Sequence, residues 1–203
     1  MGKLAMICAV VGGVWWLVLV AAGGLVFPGY DHLGQYISEL GATGAPNAAL
    51  VNFAGFLPLG ILFCTFAIAA YIAAPHSRLA MLGFVGLFFF AVGYVGAAFY
   101  PCDYGCRPAE PSESQNMHLL LGLAGYLLAP ITLLCLGLAA RSWPGGGRLA
   151  LWALVAAPVA AAGLLTMDPA SPYVGVSQRV LEVSVVSWCV ACGLYLGRQP
   201  RAR

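Results

Sequence analysis

A chain of 203 residues that is 62% hydrophobic and 8% charged, with a mean hydropathy of +0.90, is excluded from the ordinary soluble domains. Its net charge of +2 arises from nine basic residues spread over short loops and chain ends, so no nucleic-acid partner is expected.

Crossing the hydrocarbon core of a bilayer takes about 20 apolar residues. Runs of that length fall at about residues 4–27, 49–73, 79–100, 117–140, 149–166 and 176–196. They use most of the chain, so residues 1–203 read as one membrane domain. The predicted fold is all-α: a six-transmembrane-helix bundle of three antiparallel hairpins. The first run is longer than the 7–15 residues or so of a signal-peptide core and reads as a retained helix. Pro58, Pro130 and Pro158 fall mid-span and predict kinks, each freeing the carbonyl four residues back. Gly86, Gly93, Gly96, Gly122 and Gly125 read as sites of close helix approach.

The charges are sided. Asp31, Glu39, Asp103, Glu110, Glu113, Asp168 and Glu182 all belong to the loops after the first, third and fifth runs, or lie close to them. Lys3, Arg78, Arg141, Arg148, Arg198, Arg201 and Arg203 fall on the opposite side, and only Arg107 and Arg179 share the acidic side. The positive-inside rule then places both termini in the cytoplasm, in a cytoplasmic membrane, with any site facing out.

The first outer loop carries Leu33, Tyr36, Ile37 and Leu40 at i, i+3, i+4 and i+7, one face of a short helix. His32, Gln35 and Glu39 fall on another face, with Ser38 beside them, and Gly41 is a helix stop. This predicts a short helix lying at the interface or dipping back into the bundle, with its polar stripe in water or aimed at an outer vestibule. Asp31, Asp103 and Asp168 each stand beside a proline near the end of an odd-numbered helix. The pattern suits three aspartates around one vestibule, or ordinary turn chemistry.

In the second outer loop, Cys102 and Cys106 are four apart in an oxidising setting, which predicts a disulfide rather than a zinc pair. His118 opens the fourth helix. With His32 and Asp103 it makes the candidate zinc set, without the spacing of a recognised zinc motif. On the sixth helix Arg179 and Glu182 are three apart and share a face. An ionisable group at the depth of Glu182 marks a functional site or an internal ion pair, and Arg179 is expected to pair with Glu182 or with Asp103. The expected polar pocket therefore gathers Asp31, His32, Gln35, Ser38, Glu39, Asp103, His118, Asp168, Arg179 and Glu182.

Taken together, Ile37-Ser38-Glu39-Leu40-Gly41, Tyr100-Pro101-Cys102-Asp103-Tyr104-Gly105-Cys106, His118 and Gln178-Arg179 resemble a prokaryotic six-helix membrane family known as domain of unknown function 998. The resemblance covers nearly the whole chain. It implies six helices and a polar extracytoplasmic site at these positions, and no settled reaction. A more distant similarity, at the level of fold, is to six-helix membrane proteins of the Frag1/DRAM/Sfk1 type, linked to lipid handling.

Three functions are compatible with these features. The first is binding of a membrane lipid or other amphiphile in an outward pocket, with Arg179 meeting an anionic headgroup. The second is a membrane hydrolase or transferase using zinc or a His/carboxylate pair. Intramembrane metal hydrolases use several histidines, and only two lie on the outer side here. The third is a proton-coupled transporter with Glu182 as coupling group, against which stands the hairpin pattern in place of inverted repeats.

Overall fold

The computed structural model describes residues 1–199; Arg201 and Arg203, counted above among the inner basic residues, lie outside the described residues. Among the described residues six helices are long and apolar enough to cross a membrane. They are α1 Gly2–Val26, α2 Ala48–Ala73, α3 Arg78–Phe99, α4 Glu113–Ala140, α5 Gly147–Leu165 and α6 Val174–Arg198. They match the apolar runs closely. The largest difference is at α4, which starts at Glu113 rather than near 117. Ser112 explains it: its hydroxyl oxygen accepts from the Gln115 N–H at 3.1 Å, and Glu113 adds a negative charge to the first turn.

Each helix packs on the next in sequence, and α6 closes the ring against α1. Lys3, Arg78, Arg141, Arg148 and Arg198 mark a basic end at the helix termini and the short turns. The other three connections meet at the opposite, acidic end. Pro130 and Pro158 lie inside α4 and α5. Pro58 follows a wide π turn over Val51–Phe56 in α2, where the Leu57 N–H reaches back to Asn52. The indole N–H of Trp15 on α1 donates to the Gly55 carbonyl at 3.3 Å, so a neighbouring helix supplies a donor to the disturbed segment.

The predicted glycines divide into two groups. A Cβ on Gly125 would sit 2.7 Å from the Phe90 Cα, so α3 and α4 touch there only because no side chain intervenes. Gly122, one turn nearer the acidic end, faces open space instead.

The ring is tied across its middle by one side chain. Glu182 lies about 12 Å along α6 from its first residue, at 1.5 Å per residue, and is 1% exposed. Its Oε2 accepts from the Trp16 indole N–H of α1 and the Tyr94 hydroxyl of α3, each at 2.5 Å. Its Oε1 accepts from the Tyr126 hydroxyl of α4 and, at 3.4 Å, from the Gln178 amide one turn away. Four donors from four helices thus surround one carboxyl group.

Glu182→Gln should be strongly destabilising. Its amide NH2 would face donors and leave at least one without an acceptor, at a cost of about 2–4 kcal/mol. Thermal unfolding of the purified protein reads this directly. A midpoint unchanged from wild type would show that the carboxyl is not the tie between these helices.

Candidate functional site

The site is built from the three acidic-end loops lying over the mouth of the ring. In the first loop the expected helix is shorter than its periodicity suggests. The Asp31 carboxylate accepts from the N–H groups of Leu33 and Gly34 at 2.9 and 3.0 Å, and Gln35 Oε1 accepts from the Asp31 N–H at 2.7 Å. Such local bonds compete with a helix. Only Ile37–Gly41 forms a helical turn, of the tight 3-10 kind. Glu39 caps it: Oε1 accepts from the Tyr36 N–H at 2.9 Å and Oε2 from the Gln35 amide at 2.7 Å. Ile37, Glu39 and Leu40 are buried while Leu33 is exposed, so the turn dips into the bundle instead of lying along the surface. Gln178 anchors it from below. Its Oε1 accepts from the Ile37 N–H at 2.6 Å, and its amide donates to the Tyr126 hydroxyl at 2.7 Å.

Arg179 does not pair with Glu182 or Asp103. One terminal nitrogen donates to the carbonyls of Gln35 and Gly175, both at 2.9 Å, and the other to the Tyr30 hydroxyl at 2.7 Å and His32 Nδ1 at 3.2 Å. Arg179 stands one turn nearer the loops than Glu182, within reach of loop carbonyls, while neutral donors already fill the Glu182 oxygens. Burial pushes the Tyr30 phenol up to about 12, so it stays neutral and its hydroxyl donates a hydrogen bond to the Tyr36 carbonyl at 2.8 Å. His32 packs over Gly24 of α1, where a Cβ would lie 2.5 Å from its ring. Desolvation, and then the Arg179 charge, hold its imidazole below the usual histidine range.

In the second loop Cys102 and Cys106 form the disulfide, with Cα atoms 5.1 Å apart. Gly105, at φ 76°, supplies the left-handed residue that this tight turn needs. The Ser112 N–H, donating at 2.9 Å, holds the Asp103 carboxyl below its usual range. Asp168 in the third loop accepts from the Ala170 N–H at 2.9 Å. Asp31, Asp103 and Asp168 therefore each serve their own loop backbone, which is the turn-chemistry alternative.

Arg107 binds the three loops together. It donates to the Pro169 carbonyl at 2.6 Å and to the Gly34 carbonyl at 2.7 Å, lies 3.6 Å from Glu39 Oε1, and stacks over the Tyr36 ring with its central carbon 5.3 Å from the centroid.

Beneath this cover is a cavity of about 540 Å³. Of the expected pocket residues, Ser38, His118 and Glu182 line it; Asp31, His32, Gln35, Glu39, Asp103, Asp168 and Arg179 stand outside its lining. Arg107, Gln115, Gly122, Tyr94 and Tyr126 also line it and were not among the expected pocket residues; Gln178 lines it as well, and the sequence pointed to it only through the family resemblance. Among the described residues no three His, Cys, Asp or Glu side chains come together as a metal set, and His32 and His118 have separate partners.

The cavity reaches the flank of the bundle. With 19 residues, α5 runs alongside 28-residue α4 only to about the level of Gly122, counted back from their shared turn at equal rise. Above that level the cavity lining includes the loop residues Met167 and Pro169. Leu119 and Leu123 line the cavity there and remain 49% and 50% exposed. His118, next to Leu119, is held by a 2.9 Å bond between Nδ1 and the Tyr100 carbonyl.

Two predictions follow from the loops. Arg107→Ala removes two loop-to-loop bonds and an ion pair at a half-exposed position, and should cost about 1–2 kcal/mol after allowance for solvent screening. Faster proteolysis within the acidic-end loops, with the helices intact, is the expected readout; an unchanged cleavage rate would show that Arg107 does not hold them. For His32 the depressed folded-state pKa means that the unfolded chain binds the proton more readily. Stability is therefore complete above about 6.5, the ordinary histidine value, and falls as pH drops below it. Melting midpoints between pH 8 and 5 should decline more steeply for wild type than for His32→Asn. Parallel curves would contradict the assignment.

No curated protein and no solved structure matches the chain significantly. A family model described as "Protein of unknown function (DUF998)" matches residues 10–195. With nearly the whole bundle covered, from the middle of α1 to the last turn of α6, this protein is a member of the DUF998 family of membrane proteins.

Proposed function

We propose that the protein binds a membrane amphiphile, with the polar end of the ligand in the cavity and its chain leaving through the flank into the bilayer. One observation carries the reading: apolar, half-exposed walls at Leu119 and Leu123 adjoin polar side chains at Gln115, His118 and Ser38 in one cavity. A purely structural void would be enclosed and either apolar or internally satisfied. A volume of about 540 Å³ also falls among those of small-molecule sites. The positive-inside rule supports an orientation with the basic end in the cytoplasm, so the cavity would draw its ligand from the outer leaflet.

Gly122 gives the test, because it lines the cavity and a Cβ added there meets nothing within 4 Å. Gly122→Phe should fold and melt like wild type, yet lose most of the lipid that co-purifies with wild type, as read by mass spectrometry of extracts. Equal lipid content in the two proteins would overturn the proposal. Orientation is tested separately. A cysteine placed at Ala109 should react with an impermeant reagent on intact cells, and one placed at Gly146 should not. The reverse pattern would put the cavity on the cytoplasmic side.

A further inference from the structure

We infer that the ligand presents a neutral hydroxyl group, which donates a hydrogen bond to Nε2 of His118; this rests on the amphiphile reading above. Most polar atoms that the cavity offers are already engaged within the protein. Glu182 has four donors around its two oxygens. The hydroxyls of Tyr94 and Tyr126 donate to that carboxyl, and both ends of the Gln178 amide are bonded within the protein. Gln115 Oε1 accepts from the Asp103 N–H at 2.9 Å, and its amide nitrogen faces the Cys106 carbonyl at 3.5 Å. Arg107 directs both terminal nitrogens at loop carbonyls, with Glu39 beside its charge. Ser38 Oγ rests 3.4 Å from the Cys106 sulfur. The Tyr36 hydroxyl, also in the lining, has no hydrogen-bond partner among the described residues, but it is a rotatable group that can donate or accept and so selects for neither.

His118 is different. A backbone carbonyl can only accept, so the 2.9 Å bond to Tyr100 puts a proton on Nδ1. In the neutral ring the lone pair is then on Nε2. Among the described residues Nε2 has no hydrogen-bond partner, and its ring lines the cavity beside Leu119 at the flank. The cavity therefore presents an acceptor that the protein leaves unanswered, next to the place where a chain would pass into the bilayer.

A ligand complementary to that acceptor brings a donor. A phosphate headgroup brings acceptors and negative charge, and the cations near it are engaged: Arg107 by Glu39 and two carbonyls, Arg179 outside the cavity with four acceptors of its own. The Arg179–anion contact expected from sequence is thereby replaced by a hydroxyl–imidazole contact. An ammonium group would enter with its counter-charge, Glu182, screened behind tyrosine hydroxyls and an indole. A hydroxyl meets neither penalty, and it matches the fixed acceptor that His118 offers.

The test uses four probes with one C16 chain: hexadecanol, its methyl ether, hexadecylamine and hexadecyl phosphate. Each is titrated into wild-type protein in nanodiscs, with binding read by native mass spectrometry. Hexadecanol should bind about tenfold more tightly than its ether, the equivalent of about 1.4 kcal/mol. His118→Asn keeps an amide able to bond the Tyr100 carbonyl and removes the acceptor at Nε2, so it should erase that preference without changing the melting midpoint. Equal binding of alcohol and ether, or preference for the amine or the phosphate, would overturn the hydroxyl inference and leave the amphiphile reading standing. If none of the four probes binds, both fall. The alcohol–ether comparison on wild type keeps the inference testable even where the variant fails to fold.

Discussion

The carboxyl group of Glu182 is the constraint on which the rest of the bundle depends. A charged group deep among apolar helices is costly unless its lone pairs are filled. Here indole, phenol and amide donors fill them from α1, α3, α4 and α6, with no cation in contact. Each donor needs one helix rotation and one depth to reach its oxygen. Apolar packing alone is tolerant of sliding and rotation between helices, so the three bonds that reach Glu182 from α1, α3 and α4 fix the register that packing leaves loose. The same carboxyl fixes the floor of the cavity, because Tyr94, Tyr126 and Gln178 are wall residues held in place by it.

From that floor the rest of the site follows by geometry. Gln178 carries the constraint from the floor to the buried turn at Ile37, and the turn is capped by Glu39. Glu39 meets Arg107, which gathers the second and third loops. The disulfide fixes the short segment from which Arg107 projects. Cover and floor are thus joined along one line of polar contacts. What they leave unfilled is the space beside α4, where α5 is too short to pack and Gly122 contributes no side chain. The cavity is a consequence of unequal helix lengths, bounded by two rigid polar layers.

Much of this fold is legible in the sequence. The six spans are visible because each apolar run is long and the charges between them are sided. The disulfide is visible because two cysteines share one polar loop. Glu182 stands out by depth alone. Its partners do not, because Trp16, Tyr94 and Tyr126 within apolar runs look like packing aromatics until the ring brings their polar atoms to one point. The usable signal was their type, since buried Tyr and Trp usually find a hydrogen-bond partner. The proximity of Arg179 and Glu182 in sequence suggested an ion pair, but a helix turn separates loop carbonyls from bundle interior, and each side chain answered its own surroundings. The helical periodicity of the first loop failed for a different reason. The carboxylates of Asp31 and Glu39 bond nearby backbone N–H groups, and side-chain caps of that kind are invisible to a count of apolar positions. Arg107 carried a clue in its placement, as one of only two basic residues on the acidic side. His118 was legible as a polar residue at a helix start, while its fixed tautomer depends on the Tyr100 carbonyl, which only the packing of α3 against α4 supplies.

The claim that a membrane amphiphile occupies this cavity is tested most directly by an experimental density map of the protein in a lipid nanodisc. The account predicts elongated non-protein density that begins beside His118, passes Leu119 and Leu123, and continues into the bilayer on the flank where α5 ends. A cavity holding only ordered water, or closed by α4 moving against the third loop, would contradict it.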